Sequence, residues 1–315
     1  MSDIKLFRIG EGSAHALPGQ SVAVEKTLQT LMERHLETLL GVRFLASEYS
    51  TGKVHGGRID TLGIDENGSP VIIEYKRALN QNVINQGLFY LNWLMDHRKD
   101  FEMLVLKRIG PNVDESVEWR YPRLLCIAGD FTKFDEDAVQ QIPRNIELIR
   151  YRRYGDDLLL LEMVNAAGAQ PIEEEVGEGN GLAAHSASRA RERAPNAQRT
   201  VLDLLAQSAT DVQDRFEALK AFLLALGDDI QMKPLKFYVA FRRIKNFACI
   251  EVHPQTRAIL AYVKVNPDSI TAEPGFTRDV RTIGHFGTGE LEITIRSDDD
   301  SERDKPLLLQ SYEAS

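Results

Sequence analysis

Cysteine is nearly absent from this chain: only Cys126 and Cys249 occur in 315 residues, each among apolar neighbours. They form no ligand-spaced pair, which argues against a zinc site, and they read as buried free thiols in a reducing compartment. Also missing are a secretory pattern at the start and any apolar run long enough to span a bilayer. The expectation is a cytoplasmic protein with no membrane association. Positive charge is in deficit too, with 38 Lys and Arg against 47 Asp and Glu and a net charge of −9. That balance argues against a protein coated with DNA-binding surface and for a confined basic groove, if there is one.

A chain of this length is long for one compact core and comfortable for two. Composition divides it at residues 166–198, which are rich in Ala, Gly and Glu, with Glu173-Glu174-Glu175 and later Arg189, Arg191 and Arg193. The stretch has no sustained apolar period and reads as a linker between a first domain, 1–165, and a second, 199–315. In the first domain, apolar patterning predicts helices at 28–40, 80–96 with Asn80 as N-cap, and 135–141. Strands are predicted at 58–65, 70–76, 101–106, 123–128, 146–151 and 158–163. This is an α/β order, a mixed sheet flanked by helices. The second domain reads as a smaller α+β domain: helices at 200–207 and 211–226, then antiparallel strands at 237–242, 247–253, 258–265 and 291–295.

The densest chemistry lies in a predicted hairpin. Glu66-Asn67-Gly68 suits a three-residue loop with Gly68 in the left-handed conformation, which pairs Asp65 with Ser69. Counting back, Leu62 faces Ile72, Asp60 faces Glu74 and Arg58 faces Lys76. Asp60, Glu74 and Lys76 then share one face of the ladder, and Ile59, Thr61, Ile73 and Tyr75 the other. A two-residue loop at Asn67-Gly68 would set Asp60 against Tyr75 instead, so the reading depends on register. Facing carboxylates repel, a cost that a bound Mg²⁺ or Mn²⁺ removes. The ordinary alternative is an ion-pair cluster on a solvated face.

Beyond the hairpin, residues from about Glu25 to Trp93 resemble the PD-(D/E)XK nuclease superfamily and, within it, the NucS-type endonucleases. Asp60 stands where the family has its aspartate, Glu74-Tyr75-Lys76 matches the (D/E)-X-K strand, and Glu25 opens the first helix where the family places a metal-site glutamate. Gln86 and Tyr90, four apart on the next helix, resemble the glutamine and tyrosine directed toward the site. No proline precedes Asp60, and Glu33, Glu37 and Glu48 compete with Glu25; Glu33 ranks second, while Glu37 fits a solvated row. The resemblance implies a restriction-endonuclease-like core and a metal-dependent DNA endonuclease of repair or defence. In that mechanism Asp60, Glu74 and the Tyr75 carbonyl hold Mg²⁺ or Mn²⁺. Lys76 orients or deprotonates a water or pairs with the phosphate, Gln86 holds the scissile phosphate or water, and Tyr90 backs Gln86. For Gln86 and Tyr90 the alternative is ordinary helix packing.

Phosphate contacts call for cations at backbone spacing. Arg58, Arg77 and His55 lie near the proposed site, and Arg144, Arg150, Arg152 and Arg153 cluster later in the first domain. In the second domain Lys233, Lys236, Arg242, Arg243 and Lys245 alternate with Phe237, Tyr238, Phe241 and Phe247, a pattern suited to single-stranded or distorted nucleic acid. Aromatics on a half-buried strand are more often core. Residues 236–312 resemble a small uncharacterised domain found in nuclease-like proteins, and the 284–290 segment, Gly-His-Phe-Gly-Thr-Gly-Glu, reads as a turn before the last strand. The expected partners are DNA, a second copy of the chain, and a protein partner through the second domain. The alternative to an endonuclease is a non-cleaving nucleic-acid-binding or protein-interaction module that retains the fold.

Overall fold

A computed structural model describes residues 4–10, 12–21, 25–76, 83–110, 117–167 and 200–315. The chain divides into two compact units, Met1–Ile172 and Glu173–Ser315.

The first unit opens with strands β1 (Leu6–Gly10), β2 (Ser13–Leu17) and β3 (Gly19–Gln20), then helices α1 (Glu25–Arg34) and α2 (Leu36–Leu40). Strand β4 (Val42–Ser50), the single turn α3 (Gly52–His55) and the hairpin β5 (Arg58–Asp65) with β6 (Pro70–Lys76) follow. Helices α4 (Val83–Asp96) and α5 (Arg98–Ile109), strand β7 (Arg123–Ala128), helix α6 (Lys133–Gln140) and strands β8 (Asn145–Tyr154) and β9 (Leu158–Ala167) complete it. Strands β3 to β9 form one mixed sheet in the order β3-β8-β7-β6-β5-β4, with β9 also on β8. The β4-β5-β6 meander is antiparallel, and β6-β7-β8 are parallel. Both faces of β6 and β7 are covered, which is why these strands read as nearly continuous apolar runs. Val83, Leu91 and Leu94 of α4 and Phe101 of α5 pack with Leu62, Ile72 and Leu124 in one core. Leu28 and Met32 of α1 are buried as well, and Glu33 on that helix reaches Thr61, on the opposite side of β5 from Leu62.

Two predicted elements differ. The expected strand at 101–106 is part of helix α5: Phe101 and Val105, four apart, are buried, while Met103 and Leu106 face solvent. A short apolar run carries no period that separates the two choices. The predicted helix 28–40 is two helices broken at His35. Asn80, the proposed N-cap, lies outside the described residues, as do residues 168–199 of the expected linker; its first two residues, Ala166 and Ala167, end β9.

The second unit holds helices α7 (Val201–Ala206) and α8 (Thr210–Leu224) and strands β10 (Gln231–Pro234), β11 (Val239–Arg242), β12 (Asn246–His253), β13 (Ala258–Val263), β14 (Thr277–Asp279) and β15 (Leu291–Ile295). Helices α9 (Asp298–Arg303) and α10 (Lys305–Glu313) close it. Its antiparallel sheet runs β10-β11-β12-β13-β15-β14. Phe216, Leu219 and Leu308 pack with Phe241, Phe247 and Ile250 as its core. No helix among the described residues is long and apolar enough to cross a membrane.

Candidate active site

The β5-β6 turn takes the three-residue form: Asp65 N–H donates to the Ser69 carbonyl at 2.9 Å, and Gly68 has φ of +78°. A side chain at Gly68 would strain this left-handed residue. Asp65 secures the turn by accepting the Asn67 and Ser69 amides at 2.9 Å each. The register follows, with Leu62 opposite Ile72 and Thr61 opposite Ile73.

Ladder pairing stops at Thr61–Ile73, and one step further side chains take over from the backbone. Asp60 N–H donates to Glu74 Oε1 at 3.2 Å, and Tyr75 N–H donates to Asp60 Oδ2 at 3.1 Å. Each strand therefore offers an amide to the other strand's carboxylate. Glu74 is 0% exposed, and its second oxygen, Oε2, is buried with no hydrogen-bond partner. Burial, followed by the Asp60 charge, pushes the Glu74 carboxyl up to about 8. Asp60 is raised as well, by burial first, against the opposing pull of the Tyr75 amide and Lys76. Lys76 Nζ sits 3.3 Å from Glu25 Oε1.

A second buried acidic group in the same sheet provides a contrast. Arg123 donates to both Glu147 oxygens at 2.7 and 2.8 Å and to Asp65 Oδ2 at 3.1 Å. That cluster satisfies its buried charges from within and is structural. Asp60 and Glu74 have instead the nearby charge of Lys76, whose Nζ is paired with Glu25.

Two neighbours hold the Asp60 segment from opposite sides. Gln29 of α1, buried, donates to the Asp60 carbonyl at 2.7 Å and also reaches Ser47 and Glu33. On the other side the Tyr90 hydroxyl accepts the Arg58 amide at 3.1 Å and the Gln86 side-chain amide at 3.3 Å. Gln86, predicted with Tyr90 to aim at the reaction centre, thus bonds to Tyr90, and Tyr90 to the Arg58 backbone. Tyr90 also packs against Gly57, in the loop just before β5. Glu33 accepts the Thr61 hydroxyl at 2.6 Å, which leaves Glu25 as the glutamate paired with Lys76.

Gln29 is not among the candidate residues of the sequence, whereas Glu48 is one of the glutamates that compete with Glu25. A polar residue between Leu28 and Met32 in the buried stripe of α1 was the available signal for Gln29. Glu48 stands in β4 between the Ser47–Thr61 and Tyr49–Ile59 pairs, with φ of +53°, uncommon for a residue with a side chain. It pairs with Lys26 at 2.8 Å and with Arg58 at 2.5 Å.

The proposed phosphate contacts separate clearly. Arg58 is largely exposed, though paired with Glu48, and Arg77 lies outside the described residues. Arg150 is buried between Asp130 and Glu162 at 2.9 Å each, so it does not belong to an open basic cluster. In the second unit Lys236 is exposed. Arg242 is only 2% exposed and donates to the Ile244 carbonyl at 2.7 Å, which removes it as a surface contact. Arg243 pairs with Asp229 at 2.8 Å and lies over the Tyr312 ring. Phe241 and Phe247 are core, so alternation of cations and aromatics along this stretch marks a strand as much as a surface.

The donor set suits a hard cation. Among the described residues no group of three or more His, Cys, Asp or Glu side chains is placed to hold a metal. Mg²⁺ needs less, since it binds through one or two carboxylates and keeps several waters. Two adjacent carboxylates, one with an unpartnered buried oxygen, fit that demand.

Residues 201–315 match the model of a family described as a domain of unknown function, DUF5655. An uncharacterized protein of Haemophilus influenzae (strain ATCC 51907 / DSM 11121 / KW20 / Rd) is 29% identical over 299 residues, which cover 93% of this chain and 94% of that protein. A crystal structure of a repair endonuclease from Pyrococcus abyssi matches at 16% identity and a TM-score of 0.27, over 42% of this chain and 49% of that one. A structure described as an EndoMS-dsDNA2 complex matches at 18% identity and a TM-score of 0.24, over 43% and 49%. The match thus spans about half the length of each of these solved structures.

Proposed function

We propose that the first unit is a metal-dependent endonuclease that hydrolyses phosphodiester bonds in DNA. The observation that carries the reading is the buried, unpartnered Glu74 Oε2 beside Asp60, at a point where the ladder gives way to side chains. Such a group costs stability and persists where a site needs it. Asp60, Glu74 and the Tyr75 carbonyl would hold Mg²⁺ or Mn²⁺, which when bound supplies an acidified water and stabilises charge developing on phosphate oxygens. Lys76, held by Glu25, places an ammonium beside both carboxylates to orient that water or pair with the phosphate. Gln29 and Tyr90 hold the backbone on either side of Asp60, and Gln86 steadies Tyr90. Arg58 and Arg77 would meet the flanking phosphates, with Arg58 leaving Glu48 to do so.

A second reading, a nucleic-acid-binding module that retains the fold without cutting, is favoured by the complete burial of Glu74. Cleavage decides between them. Purified protein incubated with Mn²⁺ or Mg²⁺ and a panel of duplex, branched and single-stranded DNA is expected to cut at least one member. Asp60→Ala and Lys76→Ala, folded by circular dichroism, are expected to cut none; variants that cut as the wild type does reject the site.

A further inference from the structure

The second unit exposes two large aromatics in contact with each other. Phe237, just before β11, and Phe286, in the loop before β15, are 43% and 46% exposed, and their rings stack at 4.1 Å with 15° between planes. Lys236 Nζ lies 4.8 Å from the Phe237 ring centre. The loop bearing Phe286 is tightly built. Thr288 N–H donates to Cys249 Sγ at 3.3 Å, and His285 stacks on Tyr262 at 4.3 Å with its Nε2 3.1 Å from the Gly289 carbonyl. Gly287 has φ of +80°, and a Cβ there would lie 2.6 Å from the Cys249 Cβ, so the loop is shaped around a residue that must be glycine. Beside Phe286 the same loop walls a recess of about 400 Å³ lined by His285, Thr288, Glu290 and, from the end of β13, Lys264.

A pair of exposed aromatic rings, one lysine over the Phe237 ring and a polar recess that holds a second are the parts of a site for an unpaired base. Stacking on an aromatic face binds any base, and lysines meet the backbone on either side. A carboxylate such as Glu290 accepts from an exocyclic amino group. Duplex DNA hides its base faces and would leave the rings unused. We propose that this face of the second unit binds single-stranded nucleic acid, with a base stacked on Phe286 and its edge turned into the recess. The site shares no residue with Asp60 and Glu74 and does not rest on the nuclease reading.

The test uses the full chain in EDTA, where metal-dependent cutting is silent, with a fluorescein-labelled twelve-nucleotide mixed-sequence single strand followed by anisotropy at low salt. Wild type is expected to bind this strand more tightly than the matching duplex. Phe286→Ala and Phe237→Ala, each folded by circular dichroism, are expected to weaken binding about tenfold. Phe134→Ala, which removes an exposed aromatic of the first unit, is expected to bind as the wild type does. No binding by wild type, preference for the duplex, or binding by Phe286→Ala as tight as that of wild type each overturns the proposal. The last of these would place the contact elsewhere and leave the nuclease reading standing.

Discussion

Replacing Glu74 with Gln should make the metal-free protein more stable at high pH. The Glu74 carboxyl sits at about 8 in the fold, against 4.5 for an ordinary glutamate, because burial and the Asp60 charge disfavour its ionised form. Between those two values the folded chain keeps a proton that the unfolded chain has lost. Stability therefore falls as pH rises from about 4.5 to 8 and stays low above it. The full shift corresponds to roughly 5 kcal/mol, and relaxation with water entry around a buried charge lowers the expected effect to about 2–3 kcal/mol. A glutamine keeps the oxygen that accepts the Asp60 amide and carries no charge, so Glu74→Gln should match wild type near pH 4.5 and exceed it by that amount at pH 9. Urea unfolding in EDTA, followed by tryptophan fluorescence, reports on the correct unit because Trp93 and Trp119 both lie in it. Asp60 is raised by burial as well, so the pH slope of the variant is reduced rather than abolished. Adding Mg²⁺ at one hundred times its dissociation constant should restore about 2.7 kcal/mol to wild type and little to the variant. A variant less stable than wild type at pH 9, or a wild-type stability flat between pH 5 and 9, refutes the reasoning.

Gln29→Met should retain the helix but release the Asp60 carbonyl, costing about 1–3 kcal/mol; cleavage should show kcat reduced at least tenfold with KM little changed, whereas a fall in stability alone would make Gln29 merely structural. In the second unit Asp304 is buried, neither side-chain oxygen has a partner, and burial, relieved in part by Lys305 and reinforced by Glu302 and Asp300, pushes it up to about 7. Its folded state too loses stability as pH rises, here from about 4 to 7, so Asp304→Asn should add about 2 kcal/mol at pH 8 and almost nothing at pH 4 in denaturation followed by circular dichroism.

Local turn chemistry made the hairpin legible. Gly68 fixed the loop form, the loop fixed the register, and the register set Leu62 against Ile72 and Thr61 against Ile73, one step short of the Asp60 amide and the Glu74 carboxylate that accepts it. What the same ladder hid was tertiary. Nothing along β5 announces that Gln29 from α1 will hold the Asp60 carbonyl, or that Tyr90 will spend its hydroxyl on the Arg58 amide. Helix α5 was obscured because a six-residue stretch with five apolar residues, Phe101 to Leu106, fits either period. Arg242 misled because strand alternation puts a cation beside aromatics whether the surface is open or closed, and only packing shows which. For α9 a signal was present in Ser297 and Asp300, which form a capping box three residues apart, ahead of an acidic first turn. The β1-β2 hairpin is exposed along its length, with Phe7 and Ile9 open to solvent, so no burial pattern marks it in the sequence.

Crystals of the protein soaked in Mn²⁺ and measured at an anomalous wavelength would show whether the Asp60 and Glu74 carboxylates hold a metal. A single strong peak is expected about 2.0–2.3 Å from an oxygen of Asp60 and from Glu74, with the Tyr75 carbonyl in the same shell and Lys76 beside it. Manganese bound elsewhere, with Glu74 still buried and unliganded at a concentration that fills the other site, would contradict that expectation.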